Sequence, residues 1–214
     1  MVGGGTFHLR AGEWTDDTSM MLAFGDALKR RGYDPVALMD AMLAWTDKGE
    51  YSHNGRCFDI GSGTRHTMAK YRLTGKPMLG KDEGGNACLM RVPAFVLYWD
   101  RDRTRAVDFS CSQARLTHGN REALEATRTL ANILWELVDC GESATLDEHP
   151  AGTWKREEID SGGFAPRTLE AAIWAVRQTD TFRDAVLLAA NLGRGRGLRG
   201  GGCRRHRRRQ VRCA

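Results

Sequence analysis

No stretch of this chain alternates apolar and polar residues with a period of two. What recurs is the three-to-four spacing of amphipathic helices, each with its own start and stop. Asp17 to Arg31 sets Met20, Met21, Phe24 and Leu28 on one side and finishes on Lys29-Arg30-Arg31 before Gly32. Asp34-Pro35 is a cap followed by proline in the first turn, opening a helix from Val36 to Lys48 that Gly49 stops. The same reading predicts helices over Thr64 to Leu73 and Asn86 to Tyr98, where Pro93 is near enough to the start to be tolerated or to kink the helix. It continues with Asn120 to Val138, Arg167 to Arg177 and Phe182 to Asn191. The predicted fold is all-α. With 214 residues, 41% of them hydrophobic, the chain can bury one sizeable core, so one domain is expected.

The net charge of +5 suggests a nucleic-acid partner until it is divided along the chain. Arg194 to Ala214 holds nine arginines and no Lys, Asp or Glu, which leaves residues 1–193 with a net charge of −4. The pI is therefore no guide to what the body binds. Two regions are expected: a folded domain over 1–193, and a basic, disordered Arg/Gly-rich tail over 194–214 with almost nothing apolar to bury. Six cysteines (57, 88, 111, 140, 203 and 213) form no C-x-x-C pair. Neither a signal peptide nor an apolar run of about 20 residues is present. Reduced thiols in a cytoplasmic protein, with no membrane partner, are the expectation.

The stretch richest in chemistry is Thr15-Asp16-Asp17-Thr18, entered through Gly12-Glu13-Trp14 at the point where a loop becomes a helix. Hard oxygen side chains there can cap the helix and complement its dipole, or hold a divalent cation such as Mg²⁺ or Mn²⁺. By themselves the four residues fit both readings, and caps are the commoner outcome. Between the helices lie loops rich in Gly, Asn, Ser and Thr: residues 52–63, 84–86, 117–120 and 161–163. Gathered at one end of a bundle, such loops could cradle a phosphate.

Taken in order, these pieces resemble the ADP-ribosylglycohydrolase family. They are Gly12-Glu13-Trp14-Thr15-Asp16-Asp17-Thr18-Ser19-Met20, Gly55-Arg56-Cys57-Phe58-Asp59-Ile60-Gly61, Gly85-Asn86-Ala87-Cys88-Leu89-Met90-Arg91, Thr117-His118-Gly119, Thr168-Leu169-Glu170-Ala171-Ala172-Ile173-Trp174 and Asn191-Leu192-Gly193. The resemblance implies an orthogonal helical bundle and a hydrolase with a pair of divalent cations, Mg²⁺ or Mn²⁺. Its substrate would be an ADP-ribosylated protein, with arginine the expected linkage, or ADP-ribose itself. It implies Thr15, Asp16 and Asp17 as metal ligands, with Asp16 and Asp17 sharing in catalysis. Asp59 is implied as the acid beside the substrate ribose. Gly61, Gly85 and Asn86 are implied on the substrate, and His118 is expected to face the ADP-ribose cleft. His8, His53, His66 and His149 are read as surface or loop residues.

The chain also departs from the family's pattern. Ala87 follows Asn86 where the family usually has Gly-Asn-Gly, and the helix carrying Gly-Asp-Ala that usually precedes the Thr-Asp-Asp segment has no counterpart before Met1. Its absence is expected to expose apolar surface and weaken folding. After Asn191-Leu192-Gly193, where the family carries a second metal half-site of Asp-x-Asp-Ser/Thr type, stands Arg194-Gly195-Arg196-Gly197-Leu198-Arg199. Read one base later, with suitable third bases, these codons yield Gly-Asp-Ala-Asp-Ser-Val-Gly-Ala-Val-Ala-Gly, the missing motif and its helix. A one-base frameshift near codon 194 is the expectation, and with it severely reduced activity. The competing readings are a non-catalytic ADP-ribose binder and an Arg/Gly arm that selects nucleic acid. A frameshifted tail would touch nucleic acid only non-specifically.

Overall fold

The structure is a computed structural model and describes residues 7–192. The basic tail, its expected disorder and the frameshift reading lie outside the described residues. Within them the chain runs through ten α-helices. These are α1 (Asp16–Arg31), α2 (Pro35–Lys48), α3 (Ser62–Thr74), α4 (Ala87–Met90), α5 (Val92–Tyr98), α6 (Arg103–Arg115), α7 (Arg121–Cys140), α8 (Ala144–Asp147), α9 (Ala165–Arg177) and α10 (Phe182–Ala190). Two short 3₁₀ turns, Pro150–Thr153 and Arg156–Glu158, lie between α8 and α9. Among the described residues there is no strand; Gly85 and Phe164 form an isolated antiparallel bridge. None of the described helices is long and apolar enough to cross a membrane, and the four described cysteines are free thiols.

The stops read from the sequence work as local chemistry dictates. Asp34 caps α2 by accepting from the Val36 N–H at 2.9 Å, and Asn120 caps α7 by accepting from Glu122 and Ala123. Gly49 closes α2 in the left-handed region at φ +70°, and a Cβ there would stand 2.1 Å from the Gly55 backbone that crosses it. The chain can turn back over the end of α2 only because that position is bare.

Two main bodies of apolar side chains result. Met20, Phe24 and Leu28 of α1 pack with Leu38, Met39, Met42 and Trp45 of α2, Met68 and Tyr71 of α3, and Phe95 of α5. Cys88 and Leu89 of α4, Ala114 of α6, Ala123, Ala126 and Ile133 of α7, and Leu169 and Ile173 of α9 form the other. Helices α4 and α5 run between the two bodies, and they are not the single helix expected over residues 86–98. Pro93, in the first turn of α5, offers no N–H to the preceding turn, and the chain breaks at Arg91. Helix α6 was not foreseen. Its buried face is Ala106, Val107, Ser110, Cys111, Gln113 and Ala114, small or polar residues that leave no large apolar stripe to read. The available signal was Asp102, which caps the helix by accepting from Arg105 at 3.0 Å.

Candidate functional site

The loop from Gly49 to Gly61 is clamped against the entry to α1. Trp14 Nε1 donates to the Tyr51 carbonyl at 2.9 Å, and His53 Nδ1 lies 2.8 Å from the Trp14 carbonyl oxygen. The imidazole sits edge-on to both Trp14 and Phe58, and Phe58 meets Phe7 in the same way. His53 lies in a loop, as expected from the sequence, and there it is a half-buried staple. Its effect is to bring Asp59, forty-odd residues away in sequence, to the N-terminus of α1.

There the three candidate carboxylates act on one another. Asp16 is buried and its carboxyl is pushed up to about 7, first by loss of water, then by the charges of Asp17 and Asp59. Asp17 opens to the surface but is crowded by protein on its other sides; that desolvation and then Asp59 raise its carboxyl too. Desolvation raises Asp59 as well. Asp59 holds φ at +58°, a left-handed conformation that aspartate tolerates better than most residues and that commonly marks a functional position. Thr15 occupies the N-cap position of α1, yet its side chain makes no capping hydrogen bond, so helix capping does not account for its hydroxyl.

A hydroxyl free of capping duty beside carboxylates that repel one another is a donor set that a hard divalent cation would relieve. Among the described residues, however, no group of three His, Cys, Asp or Glu side chains is arranged to hold a metal ion. The donor chemistry therefore fits a half-site of Thr15, Asp16 and Asp17 better than a closed carboxylate cage.

The Gly85-Asn86 loop reaches the same region from the other side. Asn86 Nδ2 donates to Thr168 Oγ1 at 3.1 Å, and Thr168 Oγ1 donates in turn to the Gly162 carbonyl at 3.0 Å. The Asn86 N–H donates to Gly163 O, and the Ala165 N–H to Gly84 O. Asp17 and Thr168 both line a largely apolar groove of about 330 Å³, together with Met21, Met90, Pro93 and Leu130. The groove thus joins Asp17 at the start of α1 to Thr168, the residue that holds the Asn86 side chain. Asn86 has φ −82° and Ala87 opens α4, so the backbone needs no glycine at 87.

Gly61 stands at the N-cap of α3, where an added Cβ would face open space. His118 lies beneath the Gly85 loop and not at the surface. It is 2% exposed, enclosed beneath Gly85, and a Cβ on that glycine would stand 3.3 Å from its Nε2. The segment at Gly80-Lys81 roofs it: Gly80 N donates to Arg115 O, and Gly119 N to Lys81 O. Burial, then the charge of Arg91, drives the imidazole down to about 3, so it is neutral. The residues that sequence reasoning missed are His53, Trp14 and Arg91. They act through packing and proton placement, and neither leaves a spacing signature.

The family model for ADP-ribosylglycohydrolase matches residues 1–196. Over 213 residues the chain is 39% identical to the ADP-ribosylarginine hydrolase Tri1 of Serratia proteamaculans, with 90% of this chain and 58% of that protein covered. It is 36% identical over 211 residues to the protein of the same name from Pseudomonas putida, with 90% and 57% covered. With the ADP-ribosyl-[dinitrogen reductase] glycohydrolase of Rhodospirillum rubrum it shares 26% identity over 204 residues, covering 90% and 67%. A solved ADP-ribosylglycohydrolase-related protein complex superimposes with a TM-score of 0.74 at 36% identity, over 90% of this chain and 69% of that one. The chain thus spans somewhat more than half the length of the two Tri1 relatives it matches.

Proposed function

The chain belongs to the ADP-ribosylglycohydrolase family, and from that premise we propose that it serves hydrolytic removal of ADP-ribose from a modified protein side chain, with arginine as the linkage. The observation that carries the reading is the meeting of Asp16, Asp17 and Asp59 at one helix start, each raised and the first to about 7. Both Tri1 relatives are named as ADP-ribosylarginine hydrolases, which favours arginine over other linkages.

Thr15, Asp16 and Asp17 would hold a Mg²⁺ or Mn²⁺ ion, which when bound supplies positive charge for ribose hydroxyls and a more acidic water. Asp59, exposed and held in a strained turn, would stand beside the ribose and take the proton as water oxygen bonds to the anomeric carbon. The carbon–nitrogen bond breaks, its electron pair goes to the guanidine nitrogen, and the proton that Asp59 took from water passes to that nitrogen. Gly61, Gly85 and Asn86 would meet the ribose and diphosphate, and His118 would contribute through the loop above it. Because residues 194–199 carry no carboxylate, a second cation would be poorly held and turnover strongly reduced.

The test is release of ADP-ribose from arginine-modified protein with Mn²⁺ or Mg²⁺ added, with serine-modified protein as control. Slow release that Asp16→Asn and Asp17→Asn abolish is expected. Binding of ADP-ribose without any release would favour a non-catalytic binder. Absence of both binding and release would overturn the reading.

A further inference from the structure

Arg91 stands at the break between α4 and α5, fully buried, with its guanidinium 5.0 Å from the centre of the Phe24 ring. Among the described residues no carboxylate pairs with it. Nη2 donates to Thr117 Oγ1 at 2.7 Å, while Nε and Nη1 have no partner among the described residues. A buried cation held by one hydrogen bond is costly, and an apolar side chain of similar length would fill the space without that cost. What the guanidinium imposes on its one partner is therefore the informative question.

The proton count around Thr117 answers it. A guanidinium only donates, so Thr117 Oγ1 must accept from it. The single hydroxyl proton is then free for the neighbour on the other side, His118 Nδ1, at 2.7 Å. To accept it, Nδ1 must be bare. The imidazole is neutral, so its one proton sits on Nε2, the nitrogen lying under Gly85. With Thr117 and His118 both buried, water does not compete for these positions. Along its other side the loop above is held by Asn86 N to Gly163 O, Ala165 N to Gly84 O, Asn86 Nδ2 to Thr168 Oγ1 and Cys88 Sγ to Gly85 O, and none of these involves His118.

We propose that Arg91 and Thr117 are positioning residues that lock His118 in the Nε2–H tautomer beneath Gly85, and thereby hold the Gly84–Asn86 loop in the shape that meets ADP-ribose. The last clause rests on the proposed function; the tautomer and the loop do not.

The experiment is NMR on the full chain with ¹⁵N-labelled histidine, together with amide exchange at Gly85 and Asn86. His118 is expected as one neutral species, protonated at Nε2 and bare at Nδ1. Thr117→Val keeps the shape and deletes the hydroxyl. It should admit the other tautomer and speed exchange at both amides about tenfold, the loss of roughly one buried hydrogen bond. Thr117→Ser should restore both readings. A proton on Nδ1 in the unaltered chain would overturn the proposal without any variant. So would a Thr117→Val protein with unchanged tautomer and exchange. ADP-ribose affinity, measured in parallel, should fall about tenfold in the valine variant. Failure of the unaltered chain to bind ADP-ribose counts against the proposed function, while the tautomer and exchange readings decide the relay regardless.

Discussion

Asp16 offers the sharpest test of the acidic site, because its sign is opposite to that of an ordinary surface carboxylate. Its carboxyl moves from 3.8 to about 7 in the folded chain. A raised folded value means that the native state holds the proton more tightly than the unfolded state does. Stability is then fully present below about 3.8 and is lost as pH rises through about 7. At about 1.4 kcal/mol per pH unit, the full shift corresponds to roughly 4 kcal/mol. Solvent screening at a cleft edge reduces this to about 2 kcal/mol. Asp16→Asn removes the charge and keeps the shape. At pH 8 in EDTA it should stabilise the protein by about 2 kcal/mol, or roughly 4–8 °C in Tm. Below pH 4 the two proteins should unfold alike. Adding Mn²⁺ at pH 8 should reverse the order, because the cation stabilises only the chain that retains the carboxylate. Urea unfolding at pH 4, 6 and 8, with and without Mn²⁺, reads all of this. A variant less stable than the parent at pH 8 without metal, or a gap independent of pH, would refute the account of the site.

His118 predicts the complementary slope. With its folded value near 3 against about 6.5 unfolded, its contribution is present above 6.5 and lost as pH falls toward 3. Unfolding of His118→Gln across that window should therefore show a shallower acid limb than the parent. Gly49→Ala must place a Cβ against the Gly55 backbone at a positive φ, and should cost about 2–4 kcal/mol in denaturant unfolding. It should also loosen the loop that carries Asp59, so Mn²⁺ affinity should fall in a calorimetric titration. Restoring the shifted frame after Gly193 should raise ADP-ribose release well above that of the present chain; equal rates would remove the frameshift explanation of the tail. Sequencing the gene across codon 194 is an independent check, since third bases that forbid aspartate in the shifted frame would exclude the same explanation.

Most of the helices were legible because their signals are local. Caps at Asp34 and Asn120, stops at Gly32 and Gly49, and large apolar residues three and four apart need only neighbouring residues to act. Helix α6 escaped because tight packing against α5 and α7 calls for small side chains, which carry no hydrophobic contrast. The break at Arg91 was half legible: Pro93 announces a disturbance, but a buried guanidinium at the junction can be known only from what surrounds it.

The order of its motifs assigns this chain to a helical hydrolase family, and residue chemistry alone marks Thr15, Asp16, Asp17 and Asp59 as hard oxygen donors. Whether such oxygens finish a helix or gather charge depends on distances across the fold. That was decided by the Trp14–His53 clamp, which carries Asp59 to the α1 terminus. The place of His118 was likewise decided in three dimensions. The packing of Gly80-Lys81 over the Thr117 turn shuts out water, and an enclosed imidazole keeps whichever proton its neighbours allow. Electrostatics and proton placement act through space, and only the folded chain sets the spacing.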